Sequence, residues 1–526
     1  MNPDFDAESL SPAERWVIAA TVMFGAFMAV MDTTVINVSI PHMMGNFGQD
    51  LSSITWVATS YSIAEIIMIT MTGWWSALIG RRRLFLASFA LFTLGSVLCG
   101  TATSFPQMIA YRVIQGIGGG ALIPISQAIL RETFPRNQQG MAMAVYGMGV
   151  VLAPAVGPVL GGWLTDTYGW PWVFFINVPV CILGMLLVRR YVHDPCYLRR
   201  GMKSIDWQGI FLLSVTLTGM QVVLERGQEK NWFESNQIVI GTIVSAVAFL
   251  ALMIWELRVK EPVINLRMLK DRNLLLGSGM GLLYGMALFG TTFILPQFTQ
   301  ELLGYPALQA GLVMAPRALT LMLCMPLAGW LYPRLGFKAL ALVGIGVLLW
   351  SYYDLMLLSL DAGFWNLVPP LLIMGLGMPF LFVALTTVSL SSVDRHNLTE
   401  ASSIYTLARR VGGNIGYALA ATLVAHGEQI HRVHLAGHIS LLNQATRSYQ
   451  SALANLMRHA GVSTADAPWT ILALLERLLN RQASMMAYND VSLFFGCIFL
   501  FMIPLIFFLP AHTETTGVKR LHPTRR

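Results

Sequence analysis

Charged side chains are scarce in this chain, because Asp, Glu, Lys and Arg together make up only 12% of its 526 residues. Soluble globular domains contain about 25% charged residues, so this scarcity excludes an ordinary soluble domain. Hydrophobic residues account for 55% of the sequence. The composition therefore predicts an integral membrane protein whose apolar helices face lipid.

Cysteine is also scarce, and its pattern excludes two classes of site. The sequence has five cysteines, most of them inside apolar runs, with no Cys-x-x-Cys spacing and no His–Cys cluster. A disulfide framework or a structural metal site would need such clustering, so we expect neither, and no metal or other cofactor is predicted. A membrane enzyme would need a nucleophile or a metal cluster. The only adjacent His–Asp pair, His193-Asp194, has no obvious nucleophile beside it, and we predict that the protein is not an enzyme.

The N-terminus lacks the basic segment and short apolar core of a cleavable signal, because its first residues include Asp4, Asp6 and Glu8. We therefore expect the first long apolar run to remain as a transmembrane helix. A bilayer-spanning helix needs about 20 mostly apolar residues. Fourteen such runs lie at 16–40, 52–72, 83–103, 106–130, 138–164, 171–191, 206–224, 236–257, 273–299, 307–332, 338–359, 366–390, 399–425 and 487–511.

Basic residues divide the loops between these runs into two classes. The net charge of +7 could indicate nucleic-acid binding, but Arg and Lys are concentrated in alternate loops, for example at 81–83, 131–136 and 199–203. Basic loops stay on the cytoplasmic side of a membrane. The pattern predicts that both termini are cytoplasmic, that the number of helices is even and that no nucleic acid is bound. Twelve helices would satisfy the same parity but would leave two apolar runs unassigned.

An internal repeat relates the two parts of the chain. The corresponding segments are Gly73–Gly80 with Gly329–Gly336, Gly116–Gly118 with Gly375–Gly377, and Tyr146 with Tyr405. Parallel repeats of six helices indicate two bundles that face each other across a central cavity. We predict an all-α polytopic membrane protein with an N-terminal six-helix bundle in 1–203, two additional helices in 204–260 and a C-terminal six-helix bundle in 261–526.

Small residues recur every four positions between 147 and 163. On a helix this spacing places them on one face, where a second helix can approach closely. Prolines at the same spacing remove backbone donors and bend the helix. A tightly packed structural helix and a bent pivot between two moving bundles both account for the pattern. The residues concerned are Gly149, Ala153, Pro154, Gly157, Pro158, Gly161 and Gly162.

Ionisable residues inside apolar runs are costly and usually functional, and here they include Asp32, Glu65 and Arg112, with Arg317, Arg409-Arg410 and Asp354 in later spans. A carboxyl group buried between helices gives up its proton less readily than in water, and an arginine beside it reverses this effect. A pair that separates and rejoins would couple proton movement to a change of shape, whereas a static pair would only hold helices together. We predict a proton-coupling role for Asp32, Glu65 and Arg112. Further polar residues in the spans are candidates for the lining of the cavity, namely Asn37, Gln115, Arg317 and Arg409.

The segment 426–486 separates the last two predicted spans and lies on the outer side by parity. Its part at 469–483 is amphipathic at helical spacing. A helical cap lying on the membrane surface and a docking surface for a partner both fit this pattern. Glu225-Arg226-Gly227, at the outer end of the seventh span, is expected to be a surface cluster.

Several segments together resemble motifs of one family, the major facilitator superfamily. Residues 147–163, with 170–179 (W-P-W-V-F-F-I-N-V-P), resemble the antiporter motif in the fifth helix of its drug:proton antiporters. Residues 31–41 (M-D-T-T-V-I-N-V-S-I-P) resemble the first-helix motif of its fourteen-helix branch. Residues 112–118 and 73–83 resemble its fourth-helix motif and the loop after the second helix. Glu225-Arg226-Gly227, Trp232-Phe233 and the long outer loop are similar to those of EmrB-type exporters.

The resemblance implies a major facilitator fold with two parallel six-helix bundles and two extra central helices, fourteen in all. It implies that Asp32 is a proton- or substrate-coupled carboxylate, that Arg112 is a relay or coupling residue, and that Gly157-Pro158 is the hinge. EmrB-type exporters work with a periplasmic adaptor protein and an outer-membrane channel, which implies adaptor contacts for the outer segment. The chain departs from the family at Ala77-Leu78, where the loop motif usually carries Asp-Arg. A cytoplasmic latch would then depend on Gly80 and the arginines after it.

We therefore predict a proton-coupled exporter of hydrophobic or amphipathic toxic compounds in the bacterial inner membrane. It would work by alternating access as part of a tripartite pump. An exporter of fatty acids or lipid-like molecules on the same fold is the alternative. The predicted partners are small-molecule substrates, protons, membrane lipid, the adaptor protein and the outer-membrane channel.

Overall fold

The computed structural model describes residues 10–194, 206–259, 261–439, 443–459 and 467–509, which form helices joined by short turns and contain no β-strand. The all-α fold predicted from composition is confirmed, because only a helix satisfies its own backbone polar groups within a single apolar segment. The α-helices are α1 (Pro12–Phe47), α2 (Leu51–Ile54), α3 (Trp56–Ile79), α4 (Arg81–Gly100), α5 (Phe105–Thr133), α6 (Gln139–Tyr168), α7 (Trp172–Phe175), α8 (Asn177–Tyr191), α9 (Trp207–Arg226), α10 (Asn236–Arg258), α11 (Arg272–Gln297), α12 (Ala307–Met356), α13 (Phe364–Ser389), α14 (Leu398–His438), α15 (Gln444–His459) and α16 (Ala467–Phe508).

The ends of α1 show how the sequence sets helix boundaries. Ser11 caps its N-terminus, accepting a hydrogen bond from the backbone N–H of Glu14 at 3.3 Å, and the Glu14 carboxylate accepts one from the Ser11 N–H at 2.9 Å. Pro12 follows at the first helical position, where no backbone donor is needed. Gly48 ends the helix in the left-handed region (φ 62°), where its N–H donates to the Met44 carbonyl.

Eleven helices in the described part of the chain are long and apolar enough to cross a membrane, and twelve if the bent α6 is included. The count of fourteen therefore stays a prediction, which two features support. α12 contains Gly336 with a non-helical backbone (φ 73°, ψ 173°), so it comprises two helices that meet at a kink. α14 has 41 residues but carries Arg409 and Arg410, and it is not among the eleven.

The helices pack as two groups with the same internal arrangement. In the first half α1 packs on α6 and α5 packs between α3 and α4; in the second α11 packs on α14 and α12 packs on α13. The halves meet along α6 against α12 and along α3 against α14. The predicted domain boundaries at 203 and 260 lie outside the described residues and stay predictions.

The two additional helices, α9 and α10, pack against each other at the edge of the seam between the halves. α9 contacts both α3 of the first half and α14 of the second half. The apolar side chains in this region include Ile66 on α3, Leu217 on α9 and Ile404 on α14, which belong to one buried cluster. The extra pair is therefore attached to both halves.

The halves approach closely at the end of the molecule that carries Gly80, Pro135 and Gly336, called the basic end here. A Cβ atom on Gly140 of α6 would lie 3.1 Å from the Cβ atom of Tyr332 on α12. The guanidinium of Arg131 donates to the Thr387 carbonyl at 3.0 Å across the same boundary. The opposite end of the molecule is called the outer end.

The chain between the last two predicted spans is largely helical rather than a loop. α14 continues to His438 and α16 begins at Ala467, well inside the segment 426–486. An ion pair between Arg432 and Glu476, at 2.8 Å, joins the two extensions. The interpretation of 469–483 as a cap lying on the membrane surface is therefore wrong, because these residues continue the last span as one unbroken helix.

Candidate functional site

Asp32 lies at the centre of a buried hydrogen-bond network inside the first half. The Arg112 Nη1 atom donates to Asp32 Oδ2 at 2.6 Å. Gln115 Nε2 and Asn177 Nδ2 both donate to Asp32 Oδ1, at 2.7 and 2.9 Å. All four side chains are buried, with Asp32 3% exposed and Arg112 fully enclosed. The carboxylate thus has a cation on one oxygen and two amide donors on the other, the arrangement that a buried charge requires.

Arg112 is fixed by contacts from two further directions. Its Nε atom donates to the Val57 carbonyl on α3 at 2.9 Å, and Nη1 also donates to Gln115 Oε1 at 2.7 Å. The guanidinium lies over the Tyr61 ring, 4.3 Å from its centroid, where a cation–π contact is favourable. Its Nη2 atom has no hydrogen-bond partner among the described residues. The site therefore retains one buried donor that no described residue satisfies.

Two members of this network, Ser96 and Asn177, are not predicted from the sequence as functional residues. Ser96 on α4 accepts from Gln115 Nε2 at 2.9 Å and from Asn177 Nδ2 at 3.2 Å. Asn177 is the only amide in the apolar segment 170–179, which gives a weak signal. Ser96 gives none, because a serine in a membrane helix commonly bonds to its own backbone.

Glu65 forms an ion pair that joins the two halves. Its Oε2 atom accepts from Arg410 Nη2, so α3 of the first half is linked to α14 of the second. The Glu65 side chain is fully buried, the Arg410 side chain is 18% exposed, and Glu65 Oε1 has no partner among the described residues. The guanidinium of Arg410 also lies 5.9 Å from the Phe289 ring centroid. Glu65 therefore has its positive counterpart in the other half of the molecule.

The sequence predicts that Arg409 lines the cavity, but its neighbour Arg410 is the arginine that contacts Glu65. Successive residues of a helix point about 100° apart, so only one of two adjacent arginines can face α3. Arg409 is buried and lies 5.4 Å from the Phe382 ring centroid instead.

The other cavity candidates occupy different environments. Arg317 is half-buried, and its Nη2 atom donates to Thr292 Oγ1 at 3.1 Å and lies 3.9 Å from Met378 Sδ. Gln115 belongs to the Asp32 network and is fully buried. The side chains of Asn37 and of Pro158 lie outside the described part of the structure.

The small-residue face of α6 packs against α1. A Cβ atom on Gly161 would lie 2.7 Å from the Val35 carbonyl oxygen, and one on Gly157 would overlap the Thr34 hydroxyl. α6 bends by 44° between Gln139–Pro154 and Val159–Tyr168, around the two prolines. The close packing and the bend are both present, and a pivoting motion at the bend stays a prediction.

At the basic end Arg81 provides contacts within and between the halves. It forms an ion pair with Glu132 on α5, and its Nη2 atom donates to the Arg395 carbonyl of the second half at 3.1 Å. Arg81 is 1% exposed. The segment 73–83, expected to be a loop, instead forms the end of α3, which carries Ala77-Leu78, and the start of α4, with only Gly80 between the two helices. The buried Arg81 directly after Gly80 links the halves at this junction.

Comparison with known proteins identifies the family of this chain. Residues 22–417 match the family described as Major Facilitator Superfamily. The chain is 33% identical to the multidrug export protein EmrB of Escherichia coli K12, over 95% of this chain and 96% of that protein. It is 30% identical to the fatty acid resistance protein FarB of Neisseria gonorrhoeae, over 96% of this chain and 98% of that protein. The solved structure of the proton:xylose symporter XylE is similar in fold, with a TM-score of 0.58 at 14% identity, over 94% of this chain and 97% of that one. The chain is a multi-pass membrane protein that belongs to the Major Facilitator Superfamily.

Proposed function

We propose that this protein exports hydrophobic and amphipathic compounds across the bacterial inner membrane in exchange for protons. The proposal draws on its similarity to proteins named for multidrug export and on the charged side chains enclosed within its membrane helices. The basic end would face the cytoplasm, following the distribution of basic loops. Transport would proceed by alternating access, with the two halves tilting about the bend in α6.

The observation that carries the proposal is the ion pair between Glu65 and Arg410. Its two members belong to different halves, so it can form only when α3 and α14 are together. A proton on Glu65 removes the negative charge, and Arg410 then loses the electrostatic attraction that holds it there. Proton binding would therefore weaken the connection between the halves, and proton release would restore it.

The Asp32 network would perform a second task inside the first half. Asp32 and Arg112 are joined by hydrogen bonds that also fix Gln115 and Asn177. A change in the charge of Asp32 would alter the orientation of these amides and free the Arg112 guanidinium. We assign Asp32 and Arg112 to the coupling of substrate and proton binding.

Export of fatty acids is the second candidate function, favoured by one further observation. The half-buried Arg317 guanidinium donates to the neutral Thr292 hydroxyl, so its charge is available to an acidic substrate. FarB, a relative at 30% identity, is named for fatty acid resistance. Competition of oleate against a cationic dye for binding to the purified protein would separate the two candidates.

The helical extension of α14 and α16 at the outer end suits a periplasmic adaptor protein that continues to an outer-membrane channel. The extension holds exposed charged groups such as Arg432 and Glu476. Co-purification of a genomic adaptor with the intact protein, and its loss when residues 443–459 are deleted, would support this assembly. Retention of the adaptor by the deletion variant would contradict it.

The decisive experiment uses protein reconstituted in proteoliposomes, with pyranine in the lumen to report proton movement. The reference compound is the first of rhodamine 6G, ethidium and oleate that the wild-type protein exports. We expect Glu65→Gln and Asp32→Asn each to reduce compound-driven proton movement by at least about 100-fold. Asp361→Asn, which removes a carboxylate from an exposed loop, should leave it unchanged.

Size-exclusion profiles of the variants show whether each is folded. Normal exchange by both neutral variants would refute the coupling assignment. Failure of the wild-type protein to export any of the three compounds would refute the proposed function itself.

A further inference from the structure

The extra helix α9 brings two polar side chains to the seam between the halves. Gln221 and Glu225 lie one helical turn apart on α9. Gln221 Oε1 accepts from Asn414 Nδ2 on α14 of the second half. Glu225 Oε1 accepts from Thr59 Oγ1 on α3 of the first half, at 2.6 Å, and Glu225 Oε2 lies 3.4 Å from Gln221 Nε2. A connected set of polar groups therefore spans α3, α9 and α14.

This polar set lies further along α3 and α14 than the ion pair between Glu65 and Arg410. Asn414 lies one turn beyond Arg410 on α14, an axial distance of about 6 Å. Thr59 lies six residues before Glu65 on α3, which corresponds to about 9 Å along the helix axis. Both steps lead from the pair toward the outer end. The set formed by Glu225, Gln221 and Asn414, called the seam column here, thus extends from Glu65 toward the outer surface, and Thr59 holds Glu225 against α3 beside it.

The outer end of the seam column is accessible, whereas its inner end is not. Glu225 is exposed and Glu65 is fully buried. Arg226 follows Glu225, with its guanidinium 4.8 Å from the Trp56 ring centroid. Trp232 Nε1 donates to Thr422 Oγ1 on α14 at 3.0 Å, which is a further contact with α14 closer to the outer end. The expectation that Glu225 and Arg226 form only a surface cluster is therefore incomplete, because both also contact elements at the seam.

A purely structural role does not account for a carboxylate at this position. Thr59 needs only an oxygen acceptor, and a glutamine would provide one of the same length. Glu225 lies in the last turn of α9, where the helix dipole disfavours a negative charge, so its ability to bind a proton accounts better for its presence than its hydrogen bond does. Gln221 and Asn414 add donors and acceptors that can order water molecules between the two carboxyl groups.

We propose that Glu225 is the outer proton acceptor and that the seam column carries protons from it to Glu65. The carboxylate of Glu225 takes a proton from the outer solution. The proton then passes through water ordered by Gln221 and Asn414 to the carboxylate of Glu65, and Glu225 becomes a carboxylate again. Glu65 is now neutral and no longer attracts Arg410. No electrons are transferred and no other group changes its charge.

This inference rests on the proposed proton-coupled function and assigns a role in it to the extra helix pair. The charged group that acts directly on Glu225 is Arg226 on the same helix. α3 presents the hydroxyl of Thr59 to it, and α14 presents the amide of Asn414 through Gln221. Proton uptake at Glu225 would therefore depend on the outer pH and on its neighbour Arg226.

The test compares Glu225→Gln with Glu229→Gln in the proteoliposome assay with pyranine and the reference compound. Both variants lose one exposed carboxylate, four positions apart, but only the first lies in the seam column. We expect Glu225→Gln to slow proton-coupled exchange about tenfold at an outer pH of about 7.5 and to approach the wild-type rate near pH 5.5, where protons are abundant. Glu229→Gln should follow the wild-type profile at every pH.

Two further measurements separate proton delivery from a structural effect. Counterflow of labelled against unlabelled reference compound requires no net proton movement, so Glu225→Gln should leave it within about twofold of wild type. Thr59→Val removes the hydrogen bond but keeps the carboxylate, and it should not reproduce the change in pH profile.

The inference is overturned if Glu225→Gln matches Glu229→Gln at every outer pH, if counterflow falls in parallel with exchange, or if Thr59→Val gives the same profile. These outcomes are distinct from failure of the proposed function. That failure would appear as absence of export of all three compounds by the wild-type protein. An inactive Glu65→Gln together with a normal Glu225→Gln would refute only the seam column.

Discussion

Removal of the Arg112 guanidinium should destabilise the protein more than the loss of its contacts alone would suggest. Arg112→Met leaves the Asp32 carboxylate buried without its cation, and removing one partner of such a pair costs about 3–5 kcal/mol. Asp32→Asn together with Arg112→Met removes both charges and should recover much of that stability. Thermal unfolding in detergent measures both variants.

Arg334 provides the matched control for this residue. Its guanidinium lies 3.6 Å from the Trp330 ring centroid on an exposed surface, so Arg334→Met should change the unfolding free energy by less than about 1 kcal/mol. If the double variant is less stable than Arg112→Met, the unpaired charge of Asp32 is not the cause of the instability, and this prediction is wrong.

For individual residues, the sequence indicates candidate functional side chains better than it indicates which other side chains they contact. Asp32, Glu65 and Arg112 are recognisable because an ionisable group in an apolar run is rare. Arg410 could not be preferred over Arg409, since the choice depends on the rotation of α14 about its axis. Asn177 and Ser96 could not be assigned to Asp32, because their proximity arises only when α1, α4, α5 and α8 pack together.

Among the helices, α6 offers a direct test of close packing. A Cβ atom on Gly157 would lie 3.0 Å from Thr34 Cβ and 3.2 Å from the Val35 backbone nitrogen, and the backbone of α1 cannot yield easily. Gly157→Ala should therefore cost about 1–3 kcal/mol of unfolding free energy and slow export of the reference compound.

Gly162→Ala is the matched control, because its Cβ atom would make an ordinary contact of 3.7 Å with Val38 Cγ1. It should change stability by less than about 0.5 kcal/mol. Equal effects of the two substitutions on unfolding would show that helix propensity, rather than contact with α1, explains the glycines.

The hydropathy of the sequence predicts where most of the helices lie, but it does not predict where they end. The apolar runs locate the spans, because lipid requires about 20 apolar residues. The parts of α14 and α16 within 426–486 carry polar residues and contact each other, for example through Arg432 and Glu476. Such mutual support between distant segments leaves only an amphipathic pattern in the sequence, which fits a surface helix equally well.

For the whole molecule, the repeat in the sequence predicts two similar halves but not how the extra helices join them. α9 and α10 match neither repeat, so symmetry gives no information about their position. Their attachment to both α3 and α14 is a property of the assembled structure. This attachment makes the outer part of the seam a place where the halves influence each other.

If export requires the halves to separate at the basic end, a covalent link there should stop it. Gly140→Cys with Tyr332→Cys joins α6 to α12 across the halves, because the two Cβ positions lie 3.1 Å apart. In a background without the five native cysteines, oxidation should abolish export of the reference compound and a reductant should restore it. Ser39→Cys with Thr165→Cys, whose hydroxyls lie 2.7 Å apart within the first half, is the matched control and should retain export after oxidation. Undiminished export by the oxidised α6–α12 variant, with the cross-link verified by mass spectrometry, would mean that the basic end need not open and that alternating access in this form is incorrect.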